Sequence, residues 1–186
     1  MEKTKSKAPA PFVEEAIKLS GVKRGKALDL GAGAGVNAIA LAKAGFTVDA
    51  VDNDLDSIEL IKASAKDLPL IAHLADIKNF PIPPETYQII VARNSLPYLK
   101  KGEAEEVLKK IKVGLVSGGF LALAVFGPED DWAKAGRPMS FWTADEIKAL
   151  LFGMEIIEVV EEKEPGKTTS GTLKFWHRIR VLAKKP

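Results

Sequence analysis

Residues 26–56 constrain this chain more than any other stretch. A short apolar run with Ala27, Leu28 and Leu30 leads into a turn carrying Gly31, Gly33 and Gly35. Helical spacing follows at once in Val36, Ile39, Ala40 and Leu41, and a second apolar run, Phe46 to Val51, ends on Asp52. Strand, glycine turn, helix and strand with a carboxylate at the second tip form the pattern of a site for a nucleotide-bearing cofactor.

The residues around the glycines select among such cofactors. A dinucleotide fingerprint requires Gly-x-Gly-x-x-Gly, with the helix N-terminus facing a pyrophosphate. Here the glycines are spaced Gly31-x-Gly33-x-Gly35, and Val36 stands where the third fingerprint glycine would fall. Asp29, two residues before the first glycine, repels a phosphate and attracts an ammonium or sulfonium ion. No Gly-Lys-Ser or Gly-Lys-Thr closes a phosphate-binding P-loop. A cofactor with adenosine, no phosphate and a cationic amino-acid tail fits, and S-adenosylmethionine is that molecule. Two other readings stay open, an NAD(P)-dependent oxidoreductase and a non-catalytic S-adenosylmethionine-binding protein.

The segment Leu28-Asp29-Leu30-Gly31-Ala32-Gly33-Ala34-Gly35 resembles motif I of the class I S-adenosylmethionine-dependent methyltransferases. The resemblance extends over about residues 11–186, and its close, Phe175 to Lys185, is similar to that of the tellurite-resistance methyltransferase group. It implies a Rossmann-like sheet of seven strands in the order 3-2-1-4-5-7-6, the last one antiparallel. It also implies roles for individual residues. Asp29, Gly31, Gly33 and Asn37 would surround the methionine part, Asp52 would hold the ribose, and Asn53 would lie beside the adenine. Asp76 would accept from the adenine amino group with Ile77 flanking the ring, and Arg93 and Asn94 would lie below the sulfonium. The stretch Arg93-Asn94-Ser95-Leu96-Pro97-Tyr98 lacks the Asn-Pro-Pro-Tyr of enzymes that grip a planar amine, and points to a small-molecule acceptor.

Alternating elements along the chain indicate one doubly wound α/β domain over residues 10–186. Residues 1–9 read as a disordered tail. A helix is expected at Phe12–Ser20, and strands at 70–74 and 87–92. Asp54 would cap a helix stopped by Pro69, and a further helix would run from Glu103 to Val116. Gly118-Gly119 would then turn the chain into a strand over 120–126. Thr143 and Glu146 form a capping box for a helix through Leu151, and a hairpin, 154–160 with 173–182, completes the set.

The absence of cysteine among 186 residues excludes disulfides, thiolate metal sites and cysteine nucleophiles, and no metal site is expected. A net charge of +2 with mixed signs gives no electrostatic case for nucleic acid. With no apolar run of bilayer length and no signal peptide, a cytoplasmic location is expected. The connection 127–142 is long and carries Trp132, Arg137, Met139, Phe141 and Trp142, which suits a lid or acceptor pocket. His73 and His177 read as strand histidines. An antiparallel last strand would start at the active face, bringing Lys174, Trp176 and His177 towards the acceptor. No catalytic residue is assigned, because in-line methyl transfer needs no obligatory general base.

Overall fold

A computed structural model describes residues 8–22, 24–168 and 170–186. The expected tail falls largely outside this set, but Ala10 is already buried. Seven strands, β1 (Gly25–Leu30), β2 (Phe46–Asp52), β3 (Leu70–Leu74), β4 (Tyr87–Arg93), β5 (Leu115–Phe126), β6 (Glu155–Lys167) and β7 (Leu173–Lys184), form one sheet. Their order is β3-β2-β1-β4-β5-β7-β6. Strands β1 to β5 run parallel, and β7 is antiparallel to both β5 and β6, as the resemblance implied.

Strand composition explains the burial on both faces. Ile89, Ile90, Val91 and Ala92 of β4 are all fully inaccessible, as befits a central parallel strand. One face carries α1 (Pro11–Ser20), α2 (Val36–Lys43) and α3 (Leu55–Ser64), with Phe12, Val13, Leu41, Phe46, Ile58 and Ile61 at the contact. The other face carries α4 (Lys101–Gly114) and α6 (Ala144–Leu150), through Val107, Leu108, Ile111, Ile147 and Trp142. Each large side chain so buried contributes about 1.5–3 kcal/mol. Helices on two faces leave the carboxyl ends of the parallel strands open. The crevice lies between β1 and β4, where the chain order reverses.

Boundaries of α4, β5 and the terminal hairpin differ from the sequence expectation. Helix α4 begins at Lys101 rather than Glu103, because the Glu103 carboxylate reaches back to the Lys100 N–H at 3.2 Å. It ends at Gly114, where any Cβ would overlap Ile82, and Leu115 already pairs with Tyr87. The residues around Gly118 form an irregularity inside β5 rather than a turn before it. The hairpin is also longer than expected, at 155–167 and 173–184. Gln88 of β4 accepts from the Lys26 N–H at 2.6 Å and joins the starts of β1 and β4.

Helix α6 has the expected capping box. The Thr143 hydroxyl accepts from the Glu146 N–H at 3.1 Å, and the Glu146 carboxylate accepts from the Thr143 N–H at 2.7 Å. Thr143→Ala is expected to lower unfolding free energy by about 1 kcal/mol without changing the urea m-value, as measured by chemical denaturation.

Candidate active site

The glycine turn ties β1 to β2 before any ligand is considered. Gly31 and Ala32 donate backbone N–H groups to the Val51 carbonyl at 2.8 and 2.9 Å. Gly31 has φ of +75°, and a Cβ there would overlap the Ser95 side chain, so glycine is required twice over. Gly33, at φ +52°, donates its N–H to Asp52 Oδ2 at 2.7 Å and faces open space where a Cβ would lie. Asp52 Oδ1 accepts from the Asp54 N–H at 3.0 Å. Each Asp52 oxygen therefore keeps a lone pair free at the rim of the crevice.

A cleft of about 690 Å³ opens here, lined by Gly31, Asp52, Asn53, Asp76, Ile77, Lys78, Asn94, Ser95, Tyr98, Leu99, Lys100, Glu103 and Pro138. Its volume is in the range of small-molecule sites. Six residues singled out in the sequence thus meet at one surface, although they come from four different strand ends. Asp76 accepts from the Lys78 N–H at 2.9 Å, and the Lys78 ammonium lies 3.5 Å from Asp76 and 3.3 Å from Glu103. Asn94 adopts φ of +58°, a left-handed conformation that costs a non-glycine residue about 1 kcal/mol or more. Its Oδ1 and the Ser95 Oγ are buried without partners.

The remaining residues from the sequence reading sit elsewhere. Asn37 is buried, and its Oδ1 accepts from the Ala10 N–H at 3.1 Å, so it anchors the start of α1 rather than lining the cleft. Arg93 is exposed at the end of β4, on the α1 face of the sheet. Partial desolvation and then Arg178 lower its pKa, Asp29 opposes this, and Arg180 adds to it. In the sheet, Arg93 pairs with Ala124 and Ala124 with Arg180, while Arg178 pairs with Phe126 one step further on. Three guanidinium groups therefore share one face. The Nε atoms of Arg178 and Arg180 are buried without partners, and their terminal nitrogens reach Glu164 and Glu162 at 3.2 and 2.5 Å.

The sequence reading missed the η-turn Leu96–Tyr98 and the short helix α5 (Asp131–Lys134) within the long connection. It also missed Lys78, Ser95, Tyr98, Lys100, Glu103 and Pro138 as cleft residues. The available signal was Asn94-Ser95 directly after a strand with the apolar run Ile89 to Ala92, which places the next turn over the cleft.

Asp29 is 1% exposed, and its Oδ2 has no partner. Burial pushes its pKa up to about 7, against the Ala38 N–H and Arg93, which lower it, and with a smaller push upwards from Asp52. The folded protein holds this proton more tightly than the unfolded chain does. Its burial cost is therefore absent below about pH 4, grows through the interval up to about 7, and is constant above that. Asp29→Asn is expected to be more stable than the parent by a few kcal/mol at pH 8, with the gap closing towards pH 4, in urea midpoints taken across this range.

The sequence pattern of the tellurite resistance protein TehB family matches residues 3–172. Hemagglutinin 1 of Eikenella corrodens is 30% identical over 169 residues, covering 87% of this chain and 55% of that protein. The structure of TehB from Haemophilus influenzae superposes with a TM-score of 0.80 at 22% identity, over 97% of this chain and 64% of that one. A structure of S-adenosylmethionine-dependent methyltransferases from Methanosarcina mazei gives a TM-score of 0.74 at 17% identity, over 96% and 99%. This chain thus spans less than two thirds of the Eikenella and Haemophilus proteins. No helix among the described residues is long and apolar enough to cross a membrane. The chain belongs to the tellurite resistance protein TehB family.

Proposed function

We propose that this chain moves a methyl group from S-adenosylmethionine to a small, negatively charged acceptor by direct in-line transfer. One observation carries the cofactor side of this reading. The carboxylate of Asp52 ends β2 with a free lone pair on each oxygen, in a cleft that Asp76 and Ile77, just past the end of the neighbouring β3, also line. Asp52 suits a pair of ribose hydroxyls, Asp76 and Asn53 suit the polar edge of an adenine, and Ile77 suits its face. The buried, unpartnered oxygens of Asp29, Asn94 and Ser95 suit the ammonium-bearing end. When bound, the cofactor supplies a methyl group on a positively charged sulfur.

The chain's own contribution is alignment and exclusion of water. Holding two reactants in line can supply on the order of 7–11 kcal/mol of barrier reduction, so no general base is required. The shelf of Arg93, Arg178 and Arg180 puts positive charge beside the cleft, next to Asn94, and Arg93 pairs with no carboxylate among the described residues, which supports an anionic acceptor. Tellurite, the oxyanion in the family's name, therefore heads the acceptor panel.

Calorimetric titration with S-adenosylhomocysteine and, separately, with NADH tests the cofactor assignment. Binding of the first alone is expected, and binding of NADH alone would overturn the reading. Asp52→Asn keeps one acceptor oxygen for the turn and is expected to weaken S-adenosylhomocysteine about 10- to 100-fold. In the parent this affinity is expected to increase between pH 6 and 8 as Asp29 ionises, and in Asp29→Asn to lose that slope.

A further inference from the structure

Behind the cleft lies a buried ion pair that the reaction as described does not use. Lys174, at the start of β7, has a side chain 4% exposed, and Asp130, in the connection after β5, is inaccessible. Their ammonium and carboxylate are hydrogen-bonded. The ammonium also lies 3.5 Å from the centre of one Trp132 ring and 3.7 Å from that of Trp176. Taking two charges out of water is costly, and well-packed apolar residues would often be as stable. A charge pair kept in such a place calls for something that it specifies.

What it specifies is the path of residues 127–132 across β7. Asp130 also accepts from the N–H groups of Trp132 and His177 at 2.9 and 3.2 Å. Asp131 accepts from the Phe175 N–H at 2.6 Å, and His177 Nδ1 accepts from the Glu129 N–H at 3.0 Å. Trp132, fixed by these contacts, meets Tyr98 edge-on at 6.5 Å between centroids and carries the Arg137 guanidinium 4.9 Å above its ring. Tyr98 and Pro138, the residue after Arg137, both line the cleft. Ser140 closes the far end of the connection, with its N–H on the Pro97 carbonyl at 2.9 Å and its hydroxyl on the Leu99 carbonyl at 2.6 Å.

We propose that Lys174 is a positioning residue for the acceptor-side wall of the cleft. Its ammonium, clamped by Asp130 between Trp132 and Trp176, holds Trp132 against Tyr98 and so sets the wall formed by Tyr98 and Pro138. The inference rests on the reading of the cleft as a methyl-transfer site. None of the cluster's contacts involves the cofactor-side residues Asp52, Asn53 or Asp76, so the two halves of the cleft are separable. Burial lowers the hold of Lys174 on its proton below that of an ordinary lysine; Asp130, then Asp131, offset part of this, and Arg137 adds to it.

The test uses the full chain carrying Lys174→Met together with Asp130→Asn, which removes both charges and strands neither. Amide hydrogen exchange read by mass spectrometry is expected to be about tenfold faster at residues 96–99 and 137–141, and unchanged at 31–37 and 52–54. Tryptophan emission is expected to shift to the red with stronger acrylamide quenching, while S-adenosylhomocysteine affinity stays within about twofold of the parent. Lys174→Arg, which keeps a cation over both rings, is expected to restore the parent exchange rates and emission, and it serves as the second variant should the double substitution impair folding. Faster exchange confined to 127–132 and 173–177, or spread evenly through the chain with a matching loss of S-adenosylhomocysteine affinity, would overturn the inference. Failure of the parent itself to bind S-adenosylhomocysteine would instead remove the methyl-transfer reading and leave the exchange result standing as a structural one.

Discussion

The hydrogen bond from the Gly33 N–H to the Asp52 carboxylate, with the Gly31 and Ala32 N–H groups on the Val51 carbonyl, fixes the tips of β1 and β2 to one another. Everything in the site depends on that junction. It sets the hand of the glycine turn, aims the start of α2 and puts the Asp52 carboxylate on the crevice rim. The glycines are not interchangeable with any small residue. Gly31 meets Ser95, Gly35 meets Ile61, and all three have positive φ. The backbone can therefore come close to a ligand only because side chains are absent at these three points.

Around this junction the protein carries unfavourable electrostatics in its folded state. Asp29 is buried with one oxygen unpartnered, Asn94 is held in a left-handed conformation, and two arginines have buried Nε–H groups without acceptors. Each of these costs stability, and they cluster where β1, β4 and β5 end and the antiparallel β7 runs beside β5. The conformation of a single large sheet with two apolar faces is over-determined enough to tolerate them. Polar groups arranged in advance in this way need no reorganisation when an oppositely charged or hydrogen-bonding ligand arrives. The same physics runs the other way at Lys174 and Asp130, where two buried charges satisfy each other and fix a loop.

The two sides of the cleft are built by different means. The side proposed for the cofactor uses strand ends and short turns, whose positions are set by the sheet's hydrogen bonds. The side proposed for the acceptor uses the connection 127–142, which has little regular structure and is held by side chains: Asp130 on Lys174, Asp131 on Phe175, and Ser140 on Leu99. Such a wall can vary without disturbing the sheet, and this is how one scaffold accommodates different acceptors.

The sequence by itself determined the sheet and the glycine turn with its strand-tip carboxylates. Strand-length apolar runs, glycines at fixed offsets and carboxylates at strand tips are local patterns, and their physical meaning survives without knowledge of distant neighbours. The capping box at Thr143 and Glu146 was legible for the same reason. Asn37 was not, because its partner, Ala10, lies 27 residues earlier and only the docking of α1 brings the two together. The cleft residues Tyr98 and Pro138, the arginine shelf and the Lys174 clamp were likewise decided by tertiary structure alone. Each joins residues from separate strand ends, such as Asp130 and Lys174, which are 44 positions apart. The pairing of β7 between β5 and β6 places them side by side, and no local periodicity records that contact.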